Sequence, residues 1–343
     1  MEKVENKKFL IVYHKDDNDG VFSAALVIWN LFHNMNGIEW KDIDLLPADY
    51  VILSDKWKSG DVRKWKDAYE HVIITDVSFN DWKAMKFLHD EFGNNFTWID
   101  HHAPIIKESF KHHFDKANGI RDTHKSAILL AYEYMIDPLN VKLDKGIEPK
   151  VLGALSAYDC WNWDGLGYDG EECKTINVAV NVLVKLDIIK ALGLIDECMN
   201  SDGSGSNKDR NWYSDLLIKG HEYRAYQVYE WQNLMKISDK NWLVTDPDNG
   251  TERTAAAIFY NGPTNSMMFE SIKDEVQCGI VFKVDTTTNI CTVSLYNTKD
   301  EYAEEFDCGK FAKEVYSGGG HYGASGFNIS LTKLNKLLKY KTL

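Results

Sequence analysis

The sequence predicts an α/β chain: a mostly parallel sheet covered by helices, then a helical connector, then a smaller α/β domain. Three observations predict it. Apolar runs at residues 9–13, 43–48, 71–75 and 96–99 have the length and composition of buried strands. Apolar residues at helical spacing fill the intervals between them, as at 21–32 and 82–92, and alternating strands and helices make a parallel sheet. From about residue 241 the pattern turns back to strands, clearest at 255–260, 277–284 and 291–296.

Each element has its reason. Phe9-Leu10-Ile11-Val12-Tyr13 is followed by Gly20 and an apolar helical pattern, which is a strand–turn–helix unit. His71-Val72-Ile73-Ile74-Thr75 and Phe96-Thr97-Trp98-Ile99 read as further strands. Residues 123–136 and 148–161 read as helices, with Asp159 near the end of the second. From 174 to 236 the pattern is helical, broken by a Ser/Gly-rich flexible loop at 201–207. The turn residues 286–289 join two of the late strands as a hairpin. The sequence carries no internal repeat.

Composition narrows the function. A chain of 343 residues predicts two domains rather than one. Most of its 11 Trp and 17 Tyr are expected in cores. The net charge of −13 argues against an electrostatic grip on long duplex nucleic acid, which needs a basic face. A short anionic substrate held through metal ions fits better. The six cysteines form no C-x-x-C pair and read as reduced thiols of a cytoplasmic protein. The N-terminus shows no apolar signal core, and no apolar run has the length of a bilayer span.

The chemistry lies at the ends of the strands, where open α/β sheets bind their ligands. His14, Asp16, Asp17 and Asp19 follow the first strand, Asp76 another, and Asp100-His101-His102 the run 96–99. Several carboxylates at one sheet edge repel each other unless cations join them. Imidazoles and carboxylates without a thiolate suit Mn²⁺ or Mg²⁺. Taken singly, each acid has a plainer reading, as a helix cap or a turn residue. Asp17 is either a ligand or a cap. Two consecutive histidines at a strand end point in different directions, so one can ligate a metal while the other meets substrate, with Asp100 orienting the ligating ring. His112-His113 lies in a charged, unstructured-looking segment and takes no function. Gly318-Gly319-Gly320-His321 would expose backbone N–H groups to an anion, with His321 adding a donor.

In order and in residue type, these elements resemble the DHH phosphoesterase superfamily with its C-terminal DHHA1 domain, over nearly the whole chain. His14-x-Asp16-x-x-Asp19-Gly20 looks like the first motif, Asp76 in Ile-Thr-Asp the second, and Asp100-His101-His102 the third. Asp159 in Tyr-Asp-x-Trp matches the fourth, and Gly318-Gly319-Gly320-His321 with Ala324-Ser325-Gly326 looks like the DHHA1 signature. Residues 158–163 are especially similar to the bacterial nano-RNases, which trim short oligonucleotides from one end. The resemblance implies a DHH catalytic domain at 1–173, a helical connector at 174–238 and a DHHA1 substrate-binding domain at 239–343. It implies two divalent ions, usually manganese, with magnesium as a substitute. His14, Asp16, Asp19, Asp76, His101 and Asp159 would hold them, with Asp76 bridging, to generate a hydroxide and clamp phosphoryl oxygens. His102 would meet the scissile phosphate or its leaving group. Gly318, Gly319, Gly320 and His321 would bind a phosphate from the other side of a cleft.

The first motif is one residue longer than the commoner His-x-Asp-x-Asp, which leaves Asp16 and Asp17 as alternatives. Where many relatives carry an Arg after Ser-Leu, Ser294-Leu295 is followed by Tyr296 and Asn297. Arg253 or Arg121 would have to supply that positive contact. The expected activity is a metal-dependent phosphodiesterase, an exonuclease or oligoribonuclease hydrolysing short oligonucleotides. The alternatives are a cyclic or linear dinucleotide phosphodiesterase and a nucleotide-binding protein without turnover. The C-terminal motifs argue against an inorganic pyrophosphatase.

Overall fold

Four parallel strands organise the first of the chain's two units, Met1–Arg224. The computed structural model describes residues 7–136, 149–200, 207–246, 249–262, 264–303, 305–330 and 339–340. The strands are β1 (Lys7–His14), β2 (Ile43–Ala48), β3 (Tyr69–Thr75) and β4 (Phe96–Ile99), in the spatial order β2-β1-β3-β4. The helices are α1 (Asn18–Asn34), α2 (Tyr50–Ser59), α3 (Trp65–Ala68), α4 (Trp82–Phe92), α5 (Ala103–His112), α6 (Ala127–Met135), α7 (Lys150–Asp159), α8 (Trp163–Leu166), α9 (Gly170–Val184) and α10 (Ile188–Asn200). α11 (Asn207–Ile237) contains the boundary between the units.

Side chains alternate across the sheet, and each face builds its own core. Phe9, Ile11 and Tyr13 of β1 join Ile73 and Ile99 in a cluster with α1, α6, α7 and α9. Leu10 and Val12 join Val72, Ile74, Phe96 and Trp98 in a second cluster with α2 and α4. That is the two-residue period of a strand. α1 is buried nearly all round because α6 and α10 pack on it as well as β1. Each Leu, Ile or Phe fully buried here contributes roughly 1.5–3 kcal/mol.

The second unit, Ala225–Leu343, is built on a seven-stranded sheet. Its elements are β5 (Asp239–Thr245), β6 (Glu252–Phe259), β7 (Cys278–Asp285), β8 (Ile290–Asn297), α12 (Asp300–Ala303), α13 (Cys308–Tyr316), β9 (Gly319–His321), β10 (Ala324–Ser330) and β11 (Lys339–Tyr340). The strand order is β11-β5-β6-β7-β8-β10-β9, and β6–β7 is the parallel pair in an otherwise antiparallel sheet. Phe311 and Ala312 of α13 pack on Ile280, Phe282, Val293 and Leu295 of one face. Trp231, Met235, Phe269 and Ile272 pack on Ala256, Ile258 and Val281 of the other.

The α/β class is as the sequence predicts, and the predicted 43–48, 82–92 and 96–99 coincide with observed elements. The helix expected at 123–136 starts later, at Ala127, because the Asp19 carboxylate captures the amides of Ala127 and Ile128. The helix expected to reach 161 stops at Asp159, where Cys160 is the cap and Trp161 turns left-handed at φ 49°. The loop expected at 201–207 lies outside the described residues, except Asn207, which opens α11. The segment around His112 is helical, not unstructured. Ile105 and Ser109 form its buried face, and the His112 ring stacks on Trp82 with centroids 3.5 Å apart. None of the six cysteines is in a disulfide. Among the described residues, no helix is long and apolar enough to cross a membrane.

Candidate metal centre at the strand ends

Register brings the predicted side chains of the first unit together, Asp16 excepted. Tyr13 pairs with Thr75, and Thr75 with Ile99, so His14, Asp76 and Asp100 lie level at the carboxyl edge of the sheet. Asp17 caps α1 there, its Oδ1 accepting from the Gly20 amide at 2.9 Å. A Cβ on Gly20 would stand 2.1 Å from the His14 carbonyl oxygen, so only glycine lets α1 start this close to β1. Asp76 adopts φ 57°, a left-handed conformation that Asp tolerates better than most residues. His101 and His102 follow directly in the loop after β4, and Asp159 ends α7.

Asp76 is the centre of this cluster. It is 1% exposed, and neither carboxylate oxygen accepts a hydrogen bond. Oδ2 lies 3.7 Å from His14 Nδ1, and Oδ1 lies 3.2 Å from His101 Nε2. On the His14 side stands Asp17, whose Oδ2 is 2.6 Å from His14 Nδ1. On the His101 side stand Asp19 Oδ2 and Asp159 Oδ2, each 3.7 Å from His101 Nε2. The two Asp19 oxygens also accept the amides of Ala127 and Ile128, so this acid holds α6 to α1 as well. Asp17 is therefore both a cap and a member of the cluster. Asp16, with its side chain 59% exposed, comes no nearer than 3.9 Å to His14, and geometry favours Asp17 over it.

The charges explain what such a cluster needs. Burial would raise the Asp76 carboxyl, but the His101 and His14 imidazoles beside it hold it below the ordinary carboxylate range. Burial pushes Asp19 well up, helped by Asp159 and Asp76, and lifts Asp159 to about 7. Burial disfavours a charged His14, yet Asp17 and Asp76 carry it up to about 11. His101 moves the same way, against burial, under Asp76, Asp159 and Asp19. Protons thus compensate a surplus of carboxylates that divalent cations would otherwise neutralise. Imidazole nitrogens, carboxylate oxygens and the two buried Asp76 oxygens without hydrogen bonds fit such ions.

Asp100 differs from expectation: it orients His102, not His101. Its Oδ1 accepts the amides of His101 and His102 at 2.8 and 3.1 Å and lies 2.7 Å from His102 Nδ1. Its Oδ2 accepts from Trp98 Nε1 at 3.0 Å. The His101 ring points its Nε2 toward Asp76, Asp19 and Asp159 instead, while His102 turns back to Asp100. His102 also has a ring nitrogen within 4.8 Å of donor atoms of Asp76 and His101. Tyr50, which sequence reasoning passed over, stands 6.2 Å from the His14 ring and 6.0 Å, edge-on, from the His102 ring. Its signal is its place just past the carboxyl end of β2. Cys160, next to Asp159, lies in the cluster too.

Neither arginine is available as the missing phosphate contact. Arg121 donates to the carbonyls of Trp98, Asn118 and Asp115 and lies over the Trp98 ring, bracing β4 from behind. Arg253 is buried in the second unit, where it donates to the Glu305 carboxylate and carbonyl. In the glycine run, Gly318 gives its amide to the Ala312 carbonyl, and a Cβ on it would meet Gly326 O at 2.3 Å. Gly319 and Gly320 pair with Gly326 and Ser325, and the His321 backbone pairs with Ala324. The side chain of His321 lies outside the described residues.

No family model matches the chain, and no curated protein does. Similar solved structures include PggH, a pGpG-specific phosphodiesterase from Vibrio cholerae (12% identity, 96% of each chain, TM-score 0.47). They include an exopolyphosphatase-related protein from Bacteroides fragilis (17% identity, 94% of this chain and 86% of that one, TM-score 0.46). The exonuclease RecJ bound to manganese is a third (12% identity, 96% and 88%, TM-score 0.43). At such identities and scores these likenesses assign no function, and the reading of the site rests on its own geometry.

Proposed function

We propose that the chain is a metal-dependent phosphoesterase of the DHH type that hydrolyses short nucleotide phosphodiesters. The observation that carries this reading is Asp76, buried without a hydrogen bond on either oxygen, with one oxygen toward each of two imidazoles. His14, Asp17 and Asp76 would hold one ion, and Asp76, His101, Asp159 and Asp19 the other. Bound there, two divalent ions polarise phosphoryl oxygens and lower the pKa of water.

The chain's own groups supply the rest. Burial lowers the proton affinity of His102, but Asp100 at Nδ1 raises it above the ordinary value. An imidazole so held can deliver a proton from Nε2 to the oxygen of a departing nucleotide. The Asp100 contact fixes the ring while the transfer occurs. Tyr50 adds an aromatic ring beside both His14 and His102. Gly319, Gly320 and His321 are proposed as phosphate contacts in the second unit. The net charge of −13 favours short substrates over long duplexes.

Product analysis tests this reading. End-labelled oligomers of increasing length and cyclic dinucleotides are incubated with the protein in Mn²⁺, with and without chelator. Mononucleotide release from the shortest oligomers, stopped by chelator, supports it. Turnover confined to cyclic or linear dinucleotides would place the enzyme in nucleotide signalling. Binding without turnover in Mn²⁺ would make the chain a nucleotide-binding protein.

A further inference from the structure

The donor set contains one atom that a manganese or magnesium centre does not need, the thiol of Cys160. Its Sγ, His101 Nε2 or Nδ1 and an Asp159 oxygen all lie within 4.8 Å of one another. The cysteine is half-buried and shares its group of donors with His101 and Asp159. Among the described residues no other cysteine belongs to a group of donors. Cys173, Cys278, Cys291 and Cys308 are buried elsewhere.

The chain holds this thiol in place. The Cys160 amide donates to Ser156 O at 3.1 Å and ends α7. Trp161 then takes a left-handed conformation, φ 49°, which costs a residue with a Cβ roughly 1–2 kcal/mol. Its exposed ring contacts Tyr158 and Trp163, with centroids 5.8 and 5.2 Å away. Asn162 donates back to Ala157 O at 3.1 Å. The turn therefore ends α7 at Cys160 and fixes the backbone on either side of the thiol. A second observation points to a cation at the same place. Asp76, 1% exposed and without a hydrogen bond on either oxygen, approaches His101 Nε2 to 3.2 Å, and Asp159 Oδ2 is also buried without a hydrogen bond.

We propose that Cys160 is a metal ligand, which with His101 and Asp159 makes this half of the centre selective for a thiophilic divalent cation such as Zn²⁺ or Co²⁺. The proposal rests on the reading of His101 and Asp159 as metal ligands. Thiolate is a soft donor, and it favours zinc and cobalt over the harder manganese and magnesium. The His14, Asp17 and Asp76 half has only nitrogen and oxygen donors and keeps the preference for the harder ions. The two halves of one centre then differ in the metal they select.

Cobalt absorption tests this on the full chain. The metal-free protein is titrated with Co²⁺ while absorption is recorded and binding is counted by calorimetry. A thiolate ligand produces a near-ultraviolet sulfur-to-cobalt charge-transfer band beside the visible d–d bands. The expected result is that band in the natural chain and in Cys198→Ser, and its loss in Cys160→Ser. The Cys160→Ser variant should keep its circular dichroism and its visible cobalt bands, since the other ligands remain. Co²⁺ bound to the natural chain without the charge-transfer band overturns the proposal and leaves the metal centre standing. Persistence of the band in Cys160→Ser also overturns it. Absence of any Co²⁺ binding removes the metal centre and this proposal with it.

Discussion

Replacing Asp76 by Asn separates the charge of this residue from its backbone. Asp76 sits at φ 57°, and Asn is among the few residues that accept a left-handed conformation. Asn also has nearly the same shape, so the fold should survive, whereas Ala would add roughly 1–2 kcal/mol of backbone cost. What goes is the charge between His14 and His101, 3.7 and 3.2 Å away. Loss of an outer-shell partner alone costs roughly 10–100-fold in metal affinity. Loss of a shared ligand should therefore cost at least about 100-fold, or roughly 2.8 kcal/mol. With Mn²⁺ at about 100 times the natural chain's Kd, binding stabilises that chain by about 2.7 kcal/mol. The variant, at the same concentration, gains only about 0.4 kcal/mol. For a unit the size of Met1–Arg224, these gains become Tm shifts of roughly 5–11 °C and 1–2 °C. Scanning calorimetry with and without Mn²⁺ measures both. Equal shifts in the two proteins would refute the bridging role of Asp76.

Three further outcomes are expected. Asp100→Asn should slow turnover by roughly 10–100-fold, because His102 loses the partner that orients it, while calorimetric Mn²⁺ affinity stays close to natural; a loss of affinity as large as that of turnover would make Asp100 part of the metal site. In metal-free protein, His14 is raised to about 11, so its contribution is complete below its unfolded value near 6.5 and lost as pH rises toward 11. Asp159 is raised to about 7, so its contribution is lost as pH rises from its unfolded value near 4 to about 7. Metal-free Tm should thus fall between mildly acid and alkaline pH, while the Tm gain from Mn²⁺ grows as cations replace the protons; a Mn²⁺ gain independent of pH would contradict this. His321→Ala should leave Mn²⁺ affinity unchanged and slow turnover by roughly tenfold to a thousandfold if one phosphate contact is lost; steady-state kinetics beside calorimetry would show either a lost metal ion or unchanged kinetics if the assignment is wrong.

The parallel sheet and the acids at its edge were legible because both depend on local pattern. A buried strand between helices shows as an apolar run, and its carboxyl end is where the run stops, at His14, Asp76 and Asp100. Relations between distant residues were not legible. The choice between Asp16 and Asp17 is made by how α1 leaves β1 at Gly20, and the longer spacing gives no sign of it. Asp19 doubles as the cap of α6 across 108 residues, which no local pattern encodes. Asp100 serves His102 because the strand end buries its carboxylate beside Trp98 Nε1, a three-dimensional fact. Arg121 and Arg253 looked free in sequence, but Arg121 is spent on backbone carbonyls and Arg253 on the carboxylate and carbonyl of Glu305. The helix at His112 was missed because its charged outward face hides a buried face of only Ile105 and Ser109.

Anomalous diffraction from crystals of the full chain grown with Mn²⁺ tests the centre most directly. Data collected near the manganese edge should show two peaks about 3.5–4 Å apart. One is expected beside His14 and Asp17, the other beside His101 and Asp159, with a different Asp76 oxygen coordinating each. No peak within bonding distance of Asp76, or none beside His14 and Asp17, at saturating Mn²⁺ would contradict the account.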